Sequence, residues 1–136
     1  MLVSTKGRYA LRVMIDLAEH QNDSFIPLKE IAARQQISEK YLESIIVILS
    51  KAGLVQGIRG KGGGYKLIKS PSEYTAADII NLTEGSPAAV HCLKGEPNIC
   101  PQKNTCKTLP MWTRLDGMIH SYLRSVTLED LVSGNV

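Results

Sequence analysis

Three features of the sequence predict a mainly α fold with a small β wing, arranged as a winged helix-turn-helix domain followed by a long C-terminal dimerisation helix. Two helices are joined by the short turn Gln35-Gln36-Ile37, two strand-like runs flank a glycine-rich tip, and apolar residues repeat every three or four positions from Trp112 onward. A length of 136 residues suits one compact domain with an appendage, and 43% apolar against 21% charged residues suits a packed core rather than disorder.

The first helix is expected over about residues 4–20, capped by Ser4 or Thr5, because Tyr9, Val13 and Leu17 recur with Leu11, Met14, Ile15 and Ala18 at helical spacing. Gln21 to Ser24 is a polar loop. Pro27 is placed for a first helical position, and Leu28, Ile31 and Ala32 form the inner stripe of a short helix ending near Gln35. Ser38 caps the third helix, in which Leu42, Ile45, Leu49 and Ala52 share one face. Lys40, Ser44, Val47 and Lys51 share another, with Glu43 beside them, and Gly53 stops the helix. In such a motif the second of the paired helices lies in the DNA major groove.

Leu54–Ile58 and Tyr65–Ile68 then read as the strands of a wing, joined by Arg59-Gly60-Lys61-Gly62-Gly63-Gly64. Glycines let that backbone approach phosphate, and Arg59 and Lys61 supply charge. No Gly-Lys-Ser/Thr follows, which excludes a Walker phosphate loop. Charge supports a polyanion partner. The net charge is +3, but residues 1–69 hold eleven Lys/Arg against six Asp/Glu, whereas residues 70–136 hold five against seven.

A fourth helix is expected over about residues 75–84, and a fifth over about residues 109–125, followed by a last turn capped by Thr127. Trp112, Leu115, Ile119, Tyr122 and Leu123 of the fifth exceed what one small domain can cover. Dimerisation through this helix is the expected solution, and it matches a two-fold operator. The domains are therefore residues 1–85, with the helix-turn-helix at 27–53 and the wing at 54–69, a cysteine-rich loop at 86–108, and the dimerisation helix with its C-terminal turn at 109–132. The longest apolar run, Ile45–Leu49, is far too short to span a bilayer, and Met1-Leu2-Val3 opens no signal peptide, so a cytoplasmic protein without membrane attachment is expected.

The stretch from Ser86 to Pro110 holds four of the six prolines and all three cysteines, spaced Cys92-x7-Cys100-x5-Cys106. An odd cysteine count excludes a fully paired disulfide framework within one chain. Clustering among Lys94, Glu96, Asn98, Gln102 and Lys103 favours metal ligation, as an iron–sulfur cluster ahead of zinc, with a thiol redox switch or no role as the alternatives without metal. A closed site needs four ligands, and His91 is the nearest further donor. An enzyme with Cys92 or Cys106 as nucleophile and His91 or His120 as base has no other motif behind it.

Ser4-Thr5-Lys6-Gly7-Arg8-Tyr9-Ala10, Ile37-Ser38-x-x-Tyr41-Leu42-Glu43, Gly53-Leu54-Val55 and Arg59-Gly60-x-Gly62-Gly63-Gly64-Tyr65 together resemble the Rrf2 family of bacterial transcription regulators, over residues 4 to about 132. The cysteine loop followed by Trp112 and Thr127-Leu128-x-x-Leu131 is most similar to the members that regulate iron–sulfur cluster assembly. The resemblance implies a homodimer on double-stranded operator DNA, holding an iron–sulfur cluster, 2Fe-2S ahead of 4Fe-4S, whose presence or loss selects among promoters. The implied DNA contacts are Lys6, Arg8, Ser38, Lys40, Tyr41, Glu43, Ser44, Lys51, Arg59, Gly60 and Lys61, with Glu43 as a sequence filter. Cys92, Cys100 and Cys106 are the implied metal ligands. Two positions depart from the pattern: the first gap is seven residues instead of five, and Leu109 stands where those members carry a ligating histidine. Nitric-oxide-sensing relatives take an acidic ligand from the partner's first helix, where this chain has Arg8. The fourth ligand stays open among His91, Glu96, the other protomer, water or a small thiol, with His91 ranked first.

Overall fold

A computed structural model of the chain describes residues 3–85 and 87–136; the first two residues of the expected winged domain, and Ser86 at the head of the expected cysteine loop, lie outside them. Among the described residues, six α-helices and a two-stranded antiparallel sheet follow in the order α1 (Thr5–Glu19), α2 (Leu28–Gln35), α3 (Glu39–Lys51), β1 (Val55–Ile58), β2 (Gly64–Leu67), α4 (Ala76–Glu84), α5 (Leu109–Ser125) and α6 (Leu128–Ser133). This is the mainly helical, winged architecture that the sequence predicts.

The Ser4 hydroxyl caps α1 by accepting the Gly7 N–H at 3.0 Å. Ala10, Val13, Met14 and Leu17 of α1 run through the middle of the core, against Ile31 of α2, Leu42, Ile45, Ile46 and Leu49 of α3, and Ile79 of α4. Pro27 is not the first residue of α2, as its type suggests. Its backbone is extended, with ψ 140°, and its carbonyl accepts the opening bonds from the Glu30 and Ile31 N–H groups. The helix-turn-helix angle is set at the end of α2. Gln36 adopts a left-handed φ of 55°, so that its own N–H reaches the Ala33 carbonyl and the Ile37 N–H reaches the Ala32 carbonyl. Ser38 caps α3 through the Tyr41 N–H. Gly53, at φ 76°, closes it by letting the Leu54 N–H return to the Leu49 carbonyl.

The wing pairs Val55 with Leu67 and Ile58 with Gly64. A third piece of extended chain joins it, because Ile26 and Tyr65 exchange backbone hydrogen bonds of 2.8 Å in both directions. At Gly64 a Cβ would lie 2.2 Å from the Ile26 carbonyl oxygen, so this backbone crossing admits only glycine. The buried Tyr74 fastens the other side: its hydroxyl donates to the Leu54 carbonyl at 2.7 Å and accepts from the Ile68 and Lys69 N–H groups.

Asp16, fully buried on the inner side of α1, ties α2 to it. Arg34 donates to both carboxylate oxygens, at 3.0 and 2.7 Å, and the Gln35 amide donates at 2.8 Å. Burial alone would raise the Asp16 pKa, but these hydrogen bonds, with the charges of Arg34 and His20, outweigh it and hold the carboxyl below its ordinary value. Arg12 continues the network, donating to Gln35 at 3.1 Å while its guanidinium lies over the Tyr9 ring, which in turn meets the Tyr41 ring edge-on.

Thr75 and Thr127 start α4 and α6 with capping boxes completed by Asp78 and Asp130, and the two capping segments pair with each other. The sequence groups the last turn with the dimerisation helix. In the structure Leu128 of α6 is fully buried in the same core as α1. Between them α5 packs along α4 without a single fully buried residue. Among the described residues no helix is long and apolar enough to cross a membrane.

Candidate nucleic-acid interface and cysteine loop

Helix α3 turns Leu42, Ile45, Ile46 and Leu49 inward, which leaves Lys40, Glu43, Ser44, Val47 and Lys51 exposed on the opposite side. The wing folds back beside this face. A cleft opens between them, lined by Val47, Ser50 and Lys51 of α3 and by Ile58, Arg59 and Tyr65 of the wing. It continues toward the start of α2, where Pro27, Leu28 and Lys29 face Glu43 and the wing glycines. Arg59, Gly60 and Lys61 are exposed at the wing tip. Lysines, one arginine and exposed glycine backbone thus converge on one surface with Glu43 as its acid.

The other residues expected at DNA occupy different settings. Ser38 is exposed but spends its hydroxyl on the α3 cap. Ser44 is exposed and donates to the Tyr41 carbonyl at 2.6 Å. Tyr41 is half-buried against Tyr9, so its ring is part of the α1–α3 contact. Lys6 is half-buried, and Arg8 is exposed on α1 within 3.3 Å of the Thr5 hydroxyl. Ile58 escaped the sequence reading because a strand residue next to a turn carries no signal that its side chain faces the recognition helix.

The cysteines lie in the segment between α4 and α5, all half-buried and free. Cys92 stands in a short 3-10 turn and lines a hollow with Glu96, Asn98, Thr113 and Asp116. The Cys100 N–H is held by the Asn98 side chain. Cys106 sits at the foot of α5, where the Thr108 hydroxyl, 3.3 Å from its sulfur, and the Thr108 and Leu109 N–H groups hold the thiol below its ordinary pKa. Asp116 of α5 anchors the segment by accepting the Ala89 N–H at 2.8 Å, and it pairs with His120 at 3.5 Å. His91 is exposed. Three free thiols within one loop form a donor set suited to soft-metal or cluster ligation. In this conformation, however, no three His, Cys, Asp or Glu side chains among the described residues are gathered into a metal-binding group.

On α5 the expected dimer residues divide. Trp112, Ile119 and Leu123 are half-buried on the inner side. Leu115 and Tyr122 are exposed, and with Met111 and Met118 they make a continuous outer stripe in which Met118 is 61% and Tyr122 58% exposed. The two methionines were legible in the sequence as members of a repeat at steps of four, three and four.

The Rrf2 family model, described as an iron-dependent transcriptional regulator, matches residues 3–134. The chain is 40% identical over 133 residues to the HTH-type transcriptional regulator IscR of Photorhabdus laumondii, covering 98% of this chain and 80% of that protein. Among solved structures it is similar to the global cysteine regulator CymR of B. subtilis, at 42% identity and a TM-score of 0.78, covering 98% of this chain and 97% of that one. It is also similar to T. potens IscR, at 38% identity and a TM-score of 0.78, covering 100% of this chain and 89% of that one.

Proposed function

The chain belongs to the Rrf2 family of DNA-binding transcriptional regulators, and from that premise we propose that it is a cytoplasmic, homodimeric regulator whose three-cysteine loop holds an iron–sulfur cluster and senses cluster, iron or redox status. The observation that carries the sensing half is the placement of three free thiols in a single loop joined directly to the foot of α5. The iron dependence in the family's description and the likeness to IscR regulators support a cluster there over zinc, and control of cluster-assembly genes is the reading that goes with it.

Cys92, Cys100 and Cys106 are the ligands of this reading, with His91 as the fourth and 2Fe-2S favoured over 4Fe-4S. Such a cluster supplies a one-electron redox centre whose stability depends on its ligands and exposure. The chain's own part is mechanical. Cys106 and Thr108 meet at the first turn of α5, and Asp116 fixes the start of the loop through Ala89, so a change in loop conformation pulls on the helix at two points. The exposed stripe Met111, Leu115, Met118 and Tyr122 packs against its copy, which sets the separation of two recognition helices on a two-fold operator.

At the DNA, Lys40, Glu43 and Ser44 of α3 meet base edges and Arg59 with Lys61 meet a neighbouring groove or phosphates, while Lys6, Arg8 and Lys51 serve backbone contacts. Glu43 filters sequences, since a carboxylate is accepted opposite a cytosine amino group and rejected opposite base acceptors or phosphate. The test is iron and acid-labile sulfide content with visible spectra of anaerobically purified protein. We expect brown protein, and loss of most of the cluster in each of Cys92→Ala, Cys100→Ala and Cys106→Ala. Colourless wild-type protein with stoichiometric zinc, or full iron and sulfide in two of the three variants, overturns the assignment.

A further inference from the structure

We propose that Val47 of α3 and Ile58 of β1 form an apolar slot that reads thymine 5-methyl groups, so that the chain selects its operator partly by methyl contacts. The inference deepens the DNA-binding reading and rests on it. Val47 is 48% and Ile58 50% exposed, and both line the cleft between the recognition helix and the wing. The exposure of Val47 does not serve the fold. A β-branched residue on an exposed helix position has lower helix propensity than Ala, Lys or Glu, and at this degree of exposure it buries little area in return.

The cleft's charge identifies what enters it. Lys29, Lys51 and Arg59 line it with Glu43 as the acidic member, so its occupant is a polyanion with an apolar feature at the depth of Val47. On the major-groove edge of duplex DNA that feature is the thymine 5-methyl, the one alkyl group that a standard base projects into the groove. Val47 follows Glu43 by four residues and Ser44 by three, so it shares their side of the helix and reaches base pairs next to those they meet. Ile58 closes the slot from the wing. Its neighbour Arg59 carries the charge that holds the strand in place, which leaves the isoleucine free to act by contact alone.

The test uses duplexes enriched from a random-sequence pool by the wild-type protein, in which each thymine is replaced in turn by deoxyuridine, removing one methyl group and nothing else. Wild-type affinity should fall about fourfold at one or two thymines per half-site, the worth of one buried carbon. Val47→Ala should bind the thymine and uracil duplexes alike at those positions, whereas Val47→Ile should retain the discrimination. An enriched operator that tolerates uracil at every position, or a Val47→Ala protein that keeps wild-type discrimination, overturns the slot while leaving DNA binding intact. Failure to enrich any sequence overturns the DNA-binding reading itself, and the slot with it.

Discussion

Replacing Asp16 with Asn leaves the Arg34 guanidinium aimed at a neutral group inside the α1–α2 contact, and breaking a buried pair on one side commonly costs several kcal/mol. Arg34 keeps partial contact with solvent and with Glu30, so we expect a loss near the lower end, about 3 kcal/mol, measured by denaturant unfolding. The pH dependence has a definite sign. The folded Asp16 pKa lies below the ordinary 3.8, so its contribution is fully present above that value and is lost as pH falls through the lower folded value. The Asn variant should lack this part of acid denaturation. Arg59 and Lys61 make the second prediction at this scale: their double replacement by Ala should weaken operator binding by about 1–3 kcal/mol and flatten its salt dependence, with the fold unchanged because both are exposed. Unchanged affinity would remove the wing tip from the interface. The wing-tip charges and the buried carboxylate of α1 differ in legibility. Arg59 and Lys61 stand out by composition, whereas Asp16 sits among apolar positions and only its partners Arg34 and Gln35, brought from eighteen and nineteen residues away, explain it.

The helices and wing strands follow from local signals that the structure honours: Ser38 and Gly53 bound α3, and the capping boxes at Thr75 and Thr127 start α4 and α6. Where the reading of an element slipped, a tertiary contact decided. Pro27 is extended because Ile26 must pair with Tyr65, and α6 turns back because Leu128 finds the α1 core. The α5 stripe was only half legible, since helical spacing names the apolar residues but not which side the neighbouring α4 covers. The structure therefore moves the decisive dimer test outward. Met118→Glu changes an exposed residue, so the monomer should keep its stability while a charge is placed in the proposed face between copies. Sedimentation at micromolar concentration should show a dimer for the wild type and a monomer for the variant, with weaker operator binding. A Met118→Glu protein that remains a dimer would place the interface elsewhere.

At the scale of the whole molecule, charge divides the chain into a basic N-terminal half and an acidic C-terminal half, and the proposed function assigns DNA to the first and sensing to the second, with α5 between them. The loop stands out in the sequence as a candidate ligand-bearing segment because its cysteines lie among polar residues, away from any apolar helix face. The arrangement a bound cluster would require is not legible there, and the described conformation gathers no three ligating side chains. Coupling between loop and DNA is therefore the central expectation. The most direct measurement compares affinity for the enriched operators across three samples: anaerobically purified protein, the same protein after iron chelation, and the Cys92→Ala, Cys100→Ala, Cys106→Ala triple variant. The account predicts that the chelated protein and the triple variant share one operator preference and that the loaded protein has another. Identical preferences in all three would contradict it.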